Sequence, residues 1–337
     1  MGFIVSIVGI VLLILLAIIG ASVPALQYFF GVIMPYIAIA AFIFGILYRV
    51  LNWARSPVPF RITTTAGQQK SLDFIKQNKL DNPSTFWGVI GRMALEVLFF
   101  RSLFRNTRAS VKDGKKLVYS IEKLLWFFAL IFHWSFLIIF LRHFRFFTEP
   151  IPSFVPFLQE LDGLFQVGLP VIFITDVMIV LGLSYLFGRR FLDAKVKYIS
   201  LSSDYFPLLL IAGIAFTGIM MRYFFKVDLI GVKEVTVAVL SFSAVSSETL
   251  ANLSGWFYVH FFLVCSLLIY FTMSKLMHMP GIFLSPTRNL ANNNRSKHHE
   301  NPWNKDLNLA PHTYEEYEDE FREVMANVGL PLDKEAK

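Results

Sequence analysis

Six stretches of this chain, 3–22, 28–51, 124–144, 168–188, 205–225 and 256–276, are almost wholly apolar. At about 1.5 Å of helical rise per residue, each is long enough to cross roughly 30 Å of hydrocarbon. Lipid offers the backbone no hydrogen-bond partners, so spans of this kind must be helices. The pattern therefore predicts an all-α membrane protein with six transmembrane helices.

The polar intervals have patterns of their own. FWGVIGRMALEVLFFRSLFR, residues 86–105, has a broad apolar face interrupted by Arg92, Glu96, Arg101 and Arg105. It predicts an amphipathic helix on the inner membrane surface or under a soluble partner, because a central arginine and glutamate disfavour a seventh span. Beyond residue 280, Thr313 and Glu316 fit a capping box. Tyr314, Tyr317, Phe321, Met325 and Val328 then recur at helical spacing up to Gly329 and Pro331, which predicts a short docking helix. Four regions follow: two N-terminal transmembrane helices (1–53), a loop with the amphipathic helix (54–121), a four-helix membrane core (122–279) and a tail (280–337). The first apolar run lacks a basic leading segment. It is therefore expected to be a retained anchor, although Ala21-Ser22 resembles a cleavage site.

Composition agrees: 55% hydrophobic residues, 36 Phe and only 16% charged residues exclude an ordinary soluble protein. Charge sets the expected orientation. Residues 54–121 hold twelve Lys/Arg against four Asp/Glu, and 189–203 hold four against one, whereas 145–166 and 226–254 hold fewer bases than acids. The basic loops are expected in the cytoplasm, which puts both termini of a multi-pass protein of the cell membrane there as well. The net charge of +7 follows largely from this loop bias and implies no nucleic-acid partner. The single cysteine, Cys265, excludes an internal disulfide or a cysteine-ligated cluster within this chain and is expected to pack as a small apolar residue.

The candidate chemistry lies in four histidines. His260 and His278 fall in GWFYVHFFLVCSLLIYFTMSKLMHM, residues 255–279, and read as one continuous helix they lie roughly 27 Å apart. His133 and His143 are ten residues apart on the third span, roughly 15 Å. Ionisable residues inside a membrane are costly, and functional by default. Four imidazoles on two helices, with no accompanying cluster of Asp, Glu or Cys, point to axial ligands of two haems. Antiparallel topology pairs His133 with His278 on the inner side and His143 with His260 on the outer side. Helix tilt is expected to absorb the difference of about 12 Å between the two spacings. No CxxCH sequence is present, so the haems are expected to be non-covalent, of b type, and suited to electron transfer because protein fills both axial positions.

Arg142, Arg145 and Arg222 are candidates to bind the propionates of the outer haem or to snorkel to headgroups, and Lys275 could do the same on the inner side. Asp176 reads as a bundle-facing hydrogen-bonding residue or a proton carrier. His298, His299 and His312 read as surface histidines. A haem-free anchor whose histidines line a proton path is the reading from a different class, although the sequence lacks the internal repeats usual in transporters.

Ligands ten apart on one helix and eighteen apart on a later antiparallel one resemble the dihaem cytochrome b subunit of respiratory nitrate reductase, the NarI family, over about residues 120–280. RVLNWARSPVPFRI, GQQKSLDFIKQNKLDNP, FLRHFRFFTEP, SKLMHMPGIFLSPTRNLANN and HTYEEYEDEFRE further resemble the DsrM family, membrane cytochromes of the Dsr sulfur-metabolism complex. The related HdrE family shares the haem helices. The resemblance implies a menaquinone-linked electron conduit to a cytoplasmic iron–sulfur subunit of the HdrD/DsrK type, alongside other subunits of that complex, with DsrC trisulfide as eventual acceptor. The nitrate reductase family places a glycine just before the outer ligand of the earlier haem helix and a lysine soon after it. Here Arg142 precedes His143, and the following loop offers Glu149, Glu160 and Asp162 but no lysine.

Overall fold

The apolar runs become helices in the computed structural model, which describes residues 2–56, 76–165, 171–293 and 313–334. Helix α1 is Gly2–Ser22 and α2 is Pro24–Ala54, the latter containing a π turn at Phe29–Ile33. Val23 is extended and Pro24 opens the next helix, so the two form a tight hairpin. The amphipathic segment is α3, Phe86–Phe99, capped by the Thr85 hydroxyl, which accepts from Gly88 N. It stops at Phe100, which has φ 52° and ψ 47°, the left-handed geometry that ends many helices.

Strands β1 (Thr107–Lys112) and β2 (Lys116–Ile121) pair antiparallel. The apolar pattern predicts only a helix within 54–121, yet an Asp-Gly pair is a legible hairpin signal. Asp113 and Gly114 both take positive φ in the turn.

The core consists of α4 (Lys123–Arg142), α5 (Phe154–Asp162), a small β3–β4 pairing (Gly163–Phe165 with Ile172–Phe173) and α6 (Ile174–Leu192). Next come α7 (Ser202–Ile219), continued by a π turn to Phe224, then α8 (Leu229–Leu240) and α9 (Gly255–Met273). The short α10, His278–Leu284, follows a 3-10 turn, and α11 is Tyr314–Asn327, with the expected Thr313/Glu316 capping box formed. His298, His299 and His312, and residues 57–75 with the motif residues among them, lie outside the described residues.

Among the described residues, five helices are long and apolar enough to cross a membrane: Gly2–Ser22, Pro24–Ala54, Lys123–Phe147, Ser202–Phe224 and Gly255–Met273. Helix α6, at the expected fourth span, has 19 residues but carries Asp176 in its first turn and Arg189 and Arg190 in its last. It starts later than the apolar run because Ile172 and Phe173 are drawn into pairing with β3.

One expectation fails outright: 255–279 is not a continuous helix. Ser274 is extended, at φ −113° and ψ 178°, and its hydroxyl accepts from Leu276 N. A helix continuing through this region would meet Pro280, which has no N–H to offer Leu276 O and whose ring would clash with that carbonyl. The chain therefore turns before His278, and a constant helical rise no longer sets its distance from His260.

Packing runs α4 on α6, α6 on α7 and α7 on α9, with α2 against α9 and α1 against both α7 and α9. Phe132, Ile179, Leu183 and Ile211 form the buried contact among α4, α6 and α7. Small residues permit these approaches, as van der Waals packing in lipid requires. A Cβ on Gly182 would lie 2.9 Å from Phe132 Cβ and 3.3 Å from the Phe128 carbonyl oxygen, with backbone on the far side that cannot yield. Gly182→Leu is expected to push α6 off α4 and to cost about 1–3 kcal/mol, measured as a lower melting temperature in detergent.

Candidate haem-binding site

Helix α4 carries His133 and ends on His143, while α9 carries His260 and α10 opens with His278. The rings of His143 and His260 have centroids 6.4 Å apart at an interplanar angle of 12°. Those of His133 and His278 are 6.0 Å apart at 82°. The break at Ser274 is what lets the second pair meet: α10 carries His278 to the level of His133, which a straight helix would have overshot.

The hydrogen bonds define which nitrogen of each ring carries the proton. His133 Nδ1 lies 2.7 Å from Ala129 O and His143 Nδ1 2.7 Å from Ile139 O, each one turn back on α4. His278 Nδ1 lies 2.9 Å from Lys275 O. Carbonyl oxygens only accept, so these three Nδ1 atoms donate. His260 Nδ1 lies 2.9 Å from Thr217 Oγ1, and that hydroxyl in turn donates to Gly213 O at 2.9 Å. The Thr217 proton is thereby engaged, and His260 Nδ1 is also a donor. All four imidazoles are held as Nδ1–H tautomers, with the Nε2 lone pair free to ligate.

This arrangement fits a metal between each pair. Two imidazoles bound trans through Nε2, at metal–nitrogen distances of about 2.0 Å, put their ring centroids roughly 6 Å apart. Among the described residues no group of three or more His, Cys, Asp or Glu converges on one point, so these sites offer two protein ligands each. A haem iron would take the two imidazoles of each pair as its protein ligands and would supply one-electron transfer there. Gly218 lines the His260 side, where a Cβ would come within 3.4 Å of the His260 ring.

Beyond His143 lies a polar cluster. Arg142 Nη1 is 2.8 Å from Asp162 Oδ2, and Arg142 Nη2 is 3.5 Å from Asp176 Oδ1. Asp162 also accepts from Thr175 N and Oγ1, at 2.9 and 2.6 Å, and Tyr223 donates to Asp176 Oδ2 at 2.7 Å. The guanidinium carbons of Arg142 and Arg222 lie 3.8 and 3.9 Å from the centroid of Phe173. The sequence puts Arg142 among the cations free for an anionic group, but here two carboxylates neutralise it. Arg145 and Arg222 have no acidic partner among the described residues and remain free for such a group. Lys275 is likewise committed, to Asp204 at 2.7 Å.

Several residues of the site are not apparent from the sequence. Thr217, which sets the His260 tautomer, is one threonine in an apolar run, and no feature of a single sequence singles it out. Arg49 donates to Thr272 O at 3.0 Å and lines an open cleft with Trp53, Tyr270, Lys275 and His278. Its place as the one charge at the end of α2 is the signal that points to it.

A model of the nitrate reductase gamma subunit family matches residues 83–293. The chain is 45% identical over 283 residues to an Hdr-like menaquinol oxidoreductase cytochrome b-like subunit of Archaeoglobus fulgidus, covering 81% of this chain and 83% of that protein. It is 44% identical over 281 residues to the protein of the same description in Archaeoglobus profundus, covering 82% and 83%.

The charge cluster yields a direct test. Side chains of Arg142 and Asp162 are only 11% and 4% exposed, so Asp162→Asn leaves a buried guanidinium short of one counter-charge. Loss of about 3–5 kcal/mol is expected, read as a lower melting temperature of the detergent-solubilised protein. Asp162→Asn combined with Arg142→Met should recover much of it.

Proposed function

The chain belongs to the nitrate reductase gamma subunit family, and from that premise we propose that it is the membrane cytochrome b subunit of a menaquinol-linked oxidoreductase complex. In this reading His133/His278 and His143/His260 each hold one b-type haem. The subunit carries electrons between menaquinol near the outer membrane face and an HdrD/DsrK-like iron–sulfur subunit in the cytoplasm. The observation that carries the reading is the pair of ring separations, 6.0 and 6.4 Å, with every Nδ1 turned away to a hydrogen-bond acceptor. Bound there, the two haems supply one-electron transfer.

The chain's own residues do the rest. Backbone carbonyls on α4 orient two of the ligands, Thr217 on α7 orients a third, and Lys275 O a fourth. Arg145 and Arg222 supply unpaired positive charge on the outer side, where an anionic propionate would be held. The Asp162–Arg142–Asp176–Tyr223 network borders the outer pair and fixes the end of α4 there. Six spans, with α6 as the fourth, and both termini in the cytoplasm agree with the loop charges and with two outer loops that are poor in bases.

The relatives' descriptions support an Hdr-like complex in general. Assignment to dissimilatory sulfur metabolism, with a DsrK-like partner and the other subunits of the Dsr membrane complex, rests on the loop and tail motifs. Co-purification of the cytoplasmic partner distinguishes the two.

Purified protein is expected to show two b-type haems per chain, reducible by a menaquinol analogue and reoxidised on adding oxidised iron–sulfur partner. His260→Ala should bring haem content from two to one. Retention of both haems in that variant, or a colourless wild-type protein, would rule the assignment out.

A further inference from the structure

His278 does not belong to a transmembrane helix. It opens the short α10, past the break at Ser274, where Lys275 O meets its Nδ1 on one side. On the other side, the chain that follows it is held by contacts that converge on α3, the amphipathic helix of the basic loop.

The middle of α3 and the chain just before it are bound to the segment that follows His278. Arg92 is 7% exposed, and it donates to Asp81 O at 3.0 Å, to Leu290 O at 3.3 Å and to Arg288 O. Glu96 pairs with Arg288 at 3.4 Å. Asn292, also buried, donates through its backbone to Pro83 O and through its side chain to Asn82 Oδ1, both at 2.8 Å. Asn289 Nδ2 closes the path to α10 by donating to Phe283 O at 2.7 Å. Asp81 anchors the same unit to Arg101 at 3.2 Å and to Arg105. Burial pushes its carboxyl up, but hydrogen bonds from Arg105, Asn78 and Arg101 outweigh that and hold it below the usual range.

The C-terminal end of α3 is bound to the helix that carries His133. Trp134 Nε1 donates to Leu98 O at 3.0 Å and Trp126 Nε1 to Phe99 O at 2.7 Å. Phe100, in its left-handed conformation, sets the edge of its ring against His133, with centroids 4.9 Å apart at 87°. A phenylalanine is seldom held with positive φ, and here that geometry aims the ring at a candidate ligand.

We infer that α3 is a splint spanning the two ligands of the inner histidine pair, and that Arg92 is its positioning residue for His278. The inference rests on the reading that His133 and His278 ligate one haem. Arginine is well suited to this position, because its planar fork reaches three carbonyls from two segments at once, which a lysine ammonium on a flexible stem cannot do in a fixed geometry. Releasing it frees the segment 285–292 and with it the register of α10. Among the described residues the outer pair is held instead by Ile139 O and Thr217.

The test uses the full-length, haem-loaded protein in detergent and compares it with Arg92→Ala, Arg92→Lys and Asn292→Ala. Haem per chain, low-spin electron paramagnetic resonance signals and carbon monoxide binding after dithionite reduction are read for each. A haem with two protein ligands has no vacant position, so the wild type is expected to refuse carbon monoxide. Arg92→Ala should open one haem per chain to the gas and shift or abolish one low-spin signal while the other stays unchanged. Arg92→Lys should restore part of that signal, and Asn292→Ala should perturb the same signal to a smaller degree. If Arg92→Ala does not accumulate in membranes, Asn292→Ala and Glu96→Gln decide by the same readouts. Variants that keep both signals and still refuse carbon monoxide overturn the splint and leave the ligation intact. Equal disturbance of both signals also overturns it, as general destabilisation. A wild type without haem overturns the ligation itself.

Discussion

Imidazoles inside a membrane bundle, as those of His133, His143 and His260 are, must have both nitrogens satisfied, and the structure depends on how that demand is divided between them and the exposed His278. One nitrogen of each ring goes to a protein acceptor: Ala129 O, Ile139 O, Thr217 Oγ1 or Lys275 O. The other carries a free lone pair, and each ring lies near a second imidazole, with centroids 6.0 or 6.4 Å apart. Neither neutral Nε2 can donate to another, so an electron-pair acceptor between the rings would satisfy both. The rings are carried by α4, α9 and α10, with α4 packed on α6 and α9 on α7.

The two ends of the bundle solve different electrostatic problems. At the His143 end, arginines outnumber their carboxylates. Arg142 is matched by Asp162 and Asp176, while Arg145 and Arg222 are left over beside His143 and the Phe173 ring. At the His278 end the cations are taken up structurally: Lys275 by Asp204, Arg189 by Glu122, Arg92 by carbonyl oxygens. The His143 end thus keeps positive charge available for a ligand, whereas the His278 end uses it to join loops to helices.

The histidines and the way they pair are legible in the sequence, because apolar runs and loop charges have simple, local physical causes. The spacing of His260 and His278 departs from the helical reckoning for an equally local reason. A constant rise cannot be carried through Ser274 toward Pro280, whose ring forbids the helical bond back to Leu276 once the span is already long enough to cross the membrane. The hairpin at 107–121 is likewise written in Asp113-Gly114. Thr217, the commitment of Arg142 and the role of Arg92 are not legible, since each depends on partners that only folding brings close.

The class of protein, its apolar helices and the identity of the candidate ligands were determined by the sequence itself, since these follow from hydropathy over windows of about twenty residues and from side-chain chemistry. Only tertiary structure decided which way each imidazole faces, which arginines are spent on carboxylates, and how a histidine outside the last span is brought level with one in the middle of another. Those outcomes are set by hydrogen bonds and ion pairs between segments far apart in the chain, and no periodicity records them.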